Sequence, residues 1–433
     1  MMTSQLTYLT PDTPGVGGRI KVRPEDFLVE EQPRYEPTGT GEHVYLFIEK
    51  RQLTTTDAAR RVAKAFHVKR SDVGFAGLKD KHAITRQFFS VYAPKVQVTP
   101  QHVSHIEYDK LKVLWHSRHQ NKLRTGHHAG NRFVIRIRDV RVEDVVHAKR
   151  VLDRLDAAGI PNYVGPQRFG YRGNNHVLGR CLLLGQWQEL LDEMLGRPRE
   201  SDSERLRAGR AAYERGDYAA ALDHWPRFLR HERQPLDALR QGRSAREAVR
   251  AMERVQLEFL HSAMQSAVFN AVLDRRLRED TFDRLLPGDV AFKHENRALF
   301  AVDAATADAE NGPQGRVGKR EVSPTGPLWG PAMMRAEGEV LAMERAALEG
   351  VGLTESQLTP VEPVPGLAEG GRRSLREFLK DPDLSAGVDE HGPYIRVAFE
   401  LSRGTFATIA LRELMKNDAS DSEQADMPPV PSS

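Results

Sequence analysis

The sequence predicts an α+β protein in which a largely helical block is inserted into a sheet-bearing domain. Short stretches of period-two alternation and single helices succeed one another up to about Gly159. Gln186 to Leu277 then follows helical spacing and is rich in Arg and Ala. After about Leu379 a strand, a glycine turn and a helix return in the manner of the first domain. At 433 residues the chain is too long for one ordinary core and suits about two or three domains.

Each element follows from its residues. Phe27, Val29 and Glu31 alternate with Leu28 and Glu30 as a strand does, and Val44 to Ile48 reads as a second. Thr54 to Thr56 offer an N-cap for a helix through Ala58, Val62, Ala65 and Phe66. Val73 to Ala76 and Gln87 to Tyr92 read as two strands around a glycine-containing loop. Phe133, Ile135 and Ile137 share one face of a further strand, with Arg132, Arg136 and Arg138 on the other. A helix from about Glu143 turns Val151, Leu152 and Leu155 inward and closes at Gly159, with Pro161 just beyond. The last strand, Tyr394 to Leu401, and helix, Thr408 to Lys416, come from the far end of the chain. The expected division is therefore 1–158 with 379–417 for the sheet-bearing domain and 159–378 for the insertion. Asp303 to Lys319 and Glu362 to Gly371 read as polar loops, and 418–433 as a disordered acidic tail. Arg210 to Leu222 looks like one unit of a tetratricopeptide repeat, but no second copy follows, so an isolated helical hairpin is expected.

Bulk composition excludes more than it selects. With 63 basic and 60 acidic residues the net charge is +3, so local distribution matters more than the total. One cysteine, Cys181, leaves no internal disulfide and no cysteine-rich metal site, and a reducing cytoplasm is the expected home. Met1 to Gly18 is polar and unlike a signal peptide, and no apolar run is long enough to predict a membrane span.

Three runs can carry chemistry. In Gly74 to Gln87 (GFAGLKDKHAITRQ) Asp80 stands between Lys79 and Lys81 in a loop between two strands. Cations close in space would favour its carboxylate and make it available as a nucleophile or base. A Lys-Asp-Lys turn is also a common solvated surface feature, and spacing does not separate the two. From His116 to Arg138 the chain holds Arg118, Lys122, Arg124, Arg132, Arg136 and Arg138 and meets no acid until Asp139. Such a stripe suits RNA phosphates, with Arg118, Lys122, Arg124 and Arg132 the candidate contacts and His127 and His128 adding charge at lower pH. It equally suits the charged face of an edge strand. Phe133 can be a stacking surface for a base or a core aromatic. Pro161 to Asn175 mixes Gly, Pro, amides, Arg and aromatics, as nucleic-acid clefts and interdomain hinges both do.

Absences narrow the field. There is no Walker phosphate loop, H-E-x-x-H, deaminase zinc signature or G-x-S-x-G, and the 16 histidines show no paired metal spacing. Neither a metal nor a cofactor is expected.

Together these runs resemble the TruD family of tRNA pseudouridine synthases. Its landmarks stand in order: Lys21 with Pro24-Glu25-Asp26-Phe27-Leu28-Val29-Glu30-Glu31; Gly41-Glu42-His43; Phe75 to Thr85; Gly130-Asn131-Arg132-Phe133; Pro161-Asn162-Tyr163 with Gln167-Arg168-Phe169-Gly170; Gln265 to Asn270; and Gly404-Thr405-Phe406-Ala407-Thr408 before Leu411-Arg412-Glu413-Leu414. The resemblance implies a pseudouridine synthase catalytic domain with a mixed, largely antiparallel sheet, plus a family-specific α/β insertion domain. It implies that Asp80 is the essential aspartate and that Lys21, Phe27, Asn131, Phe133 and Phe406 are active-site positions. The implied substrate is the uridine at position thirteen in the D arm of tRNA, tRNA(Glu) in particular, and a monomer is expected. The middle, notably Arg197 to Arg243 and Asp303 to Lys319, looks longer than the compact bacterial pattern.

The implied reaction breaks the bond from ribose C1′ to uracil N1 and joins C1′ to C5. It is redox-neutral, in keeping with the missing cofactor motifs. A uridine inside folded tRNA must first be flipped out, at a cost of a few kcal/mol. Asp80 can then act as a nucleophile giving a glycosyl ester or as a base in a glycal route. Lys21 is the candidate ion-pair partner of Asp80. An RNA-binding protein without activity and an interaction protein built on the helical middle are the competing readings.

Overall fold

The computed structural model describes residues 6–359 and 369–417. The expected tail 418–433 and most of the loop Glu362–Gly371 lie outside the described residues. The chain divides into two compact units: Tyr8–Ile160 with the described part of Glu377–Ser433, and Pro161–Arg376 with the described part of Met1–Thr7. Leu6 and Thr7, expected with the sheet, thus belong to the inserted unit, where Thr7 N–H donates to Asp274 Oδ1 at 2.8 Å.

The first unit is built on an eight-stranded sheet. Its strands are β1 (Phe27–Pro33), β2 (His43–Arg51), β3 (Val73–Phe75), β4 (Ile84–Tyr92), β5 (Leu111–His119), β6 (His128–Arg138), β7 (Lys380–Asp389) and β8 (Gly392–Ser402). The order is β7-β8-β6-β1-β4-β2-β5, with β3 also on β4. Only β1 and β4 pair in parallel, so the sheet is mixed and largely antiparallel. β7, which period-two reading does not find, forms a hairpin with the anticipated C-terminal strand β8.

Strand parity decides which side chains meet the core. Val44, Leu46 and Ile48 of β2 join Phe89 and Val91 of β4 against Ala58, Ala59 and Val62 of α1 (Thr55–Ala65). Thr54 caps that helix by accepting Asp57 N–H. A second helix, α2 (Pro100–Ile106), adds Ile106 to the same cluster. α3 (Val145–Ala158) buries Val151, Leu152 and Leu155 and ends at Gly159, whose φ of 91° suits glycine. It packs on α4 (Ala407–Met415) and on β7. The opposite face carries ion pairs between neighbouring strands: Glu400 with Arg132, and Arg86 with both Glu30 and Glu49.

The inserted unit opens with a helix, Asn175–Leu183, and continues with the helices anticipated between Gln186 and Leu277. They are Trp187–Leu195, Glu204–Glu214, Tyr218–His224, Arg230–Arg240, Ala245–Arg250 and Arg254–Arg278, gathered around Leu190, Trp225, Leu236 and Leu260. Glu204–Glu214 and Tyr218–His224 make the anticipated hairpin, turning at Gly216 with φ 76°. Beyond them lies an antiparallel four-stranded sheet, ordered Gly371–Ser374, Val322–Leu328, Val290–Lys293, Leu299–Ala301. The stretch expected as a polar loop after Asp303 contains a helix, Ala304–Asn311. Asp303 starts it by accepting Thr306 N–H at 2.7 Å, a cap whose signal is easily missed ahead of so short a helix. Cys181 is buried.

Candidate active site

The loop bearing Asp80 leaves the sheet at a gap. β1 and β3 lie end to end along one edge of β4, β1 opposite Ile84–Arg86 and β3 opposite Phe89–Val91. The Phe88 N–H falls between them, and a buried amide needs an acceptor. The Glu31 carboxylate supplies it at 3.2 Å. Continuing from Phe75, the loop crosses the sheet at this gap.

Three buried polar side chains hold the loop main chain. Thr55 Oγ1 accepts Lys79 N–H at 3.0 Å and donates to Gln87 Oε1 at 2.9 Å. Gln87 Nε2 donates to Gly77 O at 3.2 Å, and Lys50 Nζ donates to Asp80 O at 2.7 Å. None of the three is more than 1% exposed. Burial pushes the Lys50 ammonium down to about 8.

The three charged residues of the loop part company. Lys79 turns inward, where its Nζ lies 3.0 Å from Glu31 Oε2 and donates to Asn131 Oδ1 at 2.6 Å. Burial pushes the Glu31 carboxyl up, and the Lys79 ammonium works against that shift. Lys81 is exposed. Asp80 turns outward: its side chain is 47% exposed, with Oδ2 3.7 Å from the nearly buried ammonium of Lys21.

Lys21 links Asp80 to an aromatic wall. Its Nζ lies 5.0 Å from the Phe27 ring centre. Phe27 meets Phe133 edge-on at 6.5 Å, and Phe133 meets Phe399 at 5.8 Å. Register explains the grouping. Glu31 faces Asn131 and Val29 faces Phe133 across β1 and β6, and Leu401 and Phe399 face the same two residues from β8. Phe406 follows β8 by four residues and starts α4, partly buried, at the end of the sheet where Ser402 faces Gly130. The structure thus joins Asp80, Lys21, Phe27 and Phe133 in one line of contacts and ties Asn131 to the loop through Lys79.

The basic run does not form one surface. Arg118 donates to the main-chain oxygens of Gly41, Ala93 and Val96. Arg132 lies on the far face of the sheet from Asn131 and Phe133, paired with Glu400 at 3.2 Å, because neighbours in a strand point to opposite sides. Arg138 is buried between Asp26 and Asp389. Lys122, partly exposed, reaches Ser71 O, and Arg124 is exposed. His128 adds no charge near neutrality, since burial, with Lys79 and Arg403 nearby, pushes it down to about 4.

Sequence reasoning does not pick out Lys50, Glu31, Thr55 and Gln87 as site residues. Lys50 and Glu31 carry a readable signal: each is a charged residue at a core-facing parity position of a strand. Among the described residues no group of His, Cys, Asp or Glu could hold a metal ion, and no helix is long and apolar enough to cross a membrane.

Comparison with known proteins gives this geometry a family. A family model described as tRNA pseudouridine synthase D (TruD) matches residues 4–414. A tRNA pseudouridine synthase D of Geobacter sulfurreducens is 41% identical over 411 residues, covering 94% of this chain and 96% of its own. That of Geotalea daltonii is 42% identical over 412 residues, covering 95% and 99%. Both align nearly end to end, so the long middle is shared with them and is no departure. A crystal structure from Methanosarcina mazei assigned to tRNA pseudouridine synthase D superposes with a TM-score of 0.82 at 26% identity, over 96% of this chain and 97% of that one. The chain belongs to the TruD family of tRNA pseudouridine synthases, isomerases that convert uridine in tRNA to pseudouridine.

Proposed function

We propose that this chain isomerises the uridine at position thirteen in the D arm of tRNA(Glu), with Asp80 acting at the ribose and without a cofactor. The observation that carries this reading is the setting of Asp80. Its main chain is clamped by buried groups, its side chain is open to a ligand, and a nearly buried ammonium stands 3.7 Å away. Such a carboxylate is held in place and aimed before substrate arrives, which favours reaction over solvation.

The target uridine is flipped toward the wall formed by Phe27 and Phe133, at a cost of a few kcal/mol in unstacking. Asp80 then attacks C1′ to give a glycosyl ester, or removes the C2′ proton in a glycal route. In either route the C1′–N1 bond breaks and the uracil turns. C5 then bonds to C1′ as the Asp80 ester bond breaks or as Asp80 returns the proton to C2′. The proton lost from C5 to solvent is matched by one taken up at N1. Phe406 closes the pocket, and Asn131 supports the loop through Lys79. Of the four cations expected at RNA phosphates, Lys122 and Arg124 keep that role, whereas Arg118 and Arg132 serve the fold. The enzyme works as a cytoplasmic monomer.

Tritium release from tRNA labelled at uridine C5 tests the assignment. Asp80→Asn is expected to release none while binding tRNA within about tenfold of wild type, or ~1.4 kcal/mol. Turnover by Asp80→Asn would remove Asp80 from the chemistry. Mass spectrometry of tRNA from cells lacking the protein locates the modified position and the tRNA that carries it.

A further inference from the structure

Lys50 breaks the pattern of its own strand. In β2 the side chains of Val44, Leu46, Ile48 and Lys50 share one face, and the first three belong to the core against α1. Lys50 is as buried as they are, at 0% exposure. Methionine or leucine would fill the position without desolvating an ammonium, so the charge costs stability and calls for a reason.

The groups around Nζ supply one. It donates to the carbonyl of Asp80 at 2.7 Å and lies 3.5 Å from the carbonyl of Lys79. The charged groups that act on it are the Asp80 carboxylate, which favours the ammonium, and Lys79, which opposes it. Thr55 and Gln87 hold the loop at Lys79 and Gly77, while Lys50 holds it at Asp80 itself.

We propose that Lys50 is a positioning residue for pseudouridine formation. Its ammonium fixes the main chain at Asp80, and through it the direction of the carboxylate, and it adds positive charge beneath Asp80 to that of Lys21. The inference rests on the reading of Asp80 as the acting group. Lys50 touches no reacting atom. Because burial brings the ammonium down to about 8, its charge is lost in a range where enzyme and tRNA can both be handled.

The test uses the full chain and single-turnover tritium release at saturating tRNA. Lys50→Met is expected to slow the reaction by about tenfold or more, with tRNA affinity within about threefold and a melting temperature equal to or above wild type. A residue with only a structural role would lower melting temperature and rate together. The wild-type rate should fall as pH rises through about 8, and Lys50→Met should lack that fall. A rate within about twofold of wild type in Lys50→Met overturns the proposal. If Lys50→Met melts below wild type or does not fold, the wild-type profile decides. A fall through about pH 8 supports the proposal, and a rate unchanged to about pH 9 overturns it. Asp80→Asn run in parallel keeps the two readings apart. Activity there defeats the role of Asp80, whereas an inactive Asp80→Asn beside a fully active Lys50→Met defeats only that of Lys50.

Discussion

Lys21 reaches Asp80 from a left-handed backbone: at φ 56° its ammonium stands 3.7 Å from Asp80 Oδ2 and 5.0 Å from the centre of the Phe27 ring. A non-glycine residue in that region carries strain of about 1 kcal/mol or more, which glycine would relieve. Lys21→Gly and Lys21→Met should both lose turnover, by about tenfold or more, because each removes the charge beside Asp80. Lys21→Gly should not melt lower on account of its backbone. Half-exposure of Asp80 keeps the ion pair itself worth little to stability. Tritium release and thermal melting check both arms, and full activity in Lys21→Met would separate Lys21 from the chemistry.

Phe133 is 8% exposed and packed between Phe27 and Phe399, so most of the ring is core and only a small part of it is open to a base. Phe133→Ala should destabilise the unit by about 3–5 kcal/mol, as for other buried aromatics. Phe133→Leu keeps most of the volume and should fold while losing about 1–3 kcal/mol of stacking from transition-state binding. Denaturant melts alongside kcat/KM distinguish these. A fully active Phe133→Leu would leave the ring a structural role only.

Salt dependence of tRNA affinity should sort the cations. Removing one cation from a phosphate lowers the log–log slope by about 0.7–0.9. Changing Lys122 and Arg124 to Ala should flatten the slope and raise Kd without slowing single-turnover chemistry at saturation, since phosphate-binding groups position RNA. Arg132→Ala should leave the slope unchanged. Arg118→Ala should lower Tm instead, because three main-chain oxygens lose their donor. A double variant with the wild-type slope would move the RNA surface to the Arg-rich insertion.

Arg138 joins Asp26 and Asp389, and its hydrogen bonds hold the Asp389 carboxyl well below the usual carboxylate range. A carboxyl more acidic in the folded state stabilises fully above its unfolded value of about 4 and loses that contribution as pH falls below it. Asp389→Asn should therefore be less stable than wild type near neutrality, with the gap narrowing as pH drops below about 4. Urea unfolding across that range measures it. A constant gap would show that the carboxylate charge is not what matters.

Much of the sheet-bearing unit was legible because its signals are local. Alternation in Phe27, Val29 and Glu31 and in Phe133, Ile135 and Ile137 assigns faces whatever the neighbouring strands. Thr54 and Gly159 mark helix ends by chemistry that acts within a turn. The sheet of the inserted unit was harder to see. Its strand Val322–Leu328 contains Pro324 and Pro327, which lack the N–H that a strand interior normally donates, so composition argued against it. The stripe from Arg118 to Arg138 was hard to place for a related reason. Proximity along the chain suggested one surface, while a loop and strand parity sent its members to different faces.

From residue order alone came the alternating faces, the helix ends, the return of the chain's far end to the first domain, and, through the ordered landmarks around Asp80, the family. These depend on interactions a few residues apart or on matching residues one by one. Tertiary structure alone decided that Lys79 is buried against Glu31 while Asp80 stays open beside Lys21, and that Lys50 lies beneath the loop. The cause is the gap left where β1 and β3 meet along β4. Nothing in the order Lys79-Asp80-Lys81 says which charge is buried. Their environments diverge only when strands far apart in the chain leave the Phe88 N–H to the Glu31 carboxylate, against which Lys79 packs.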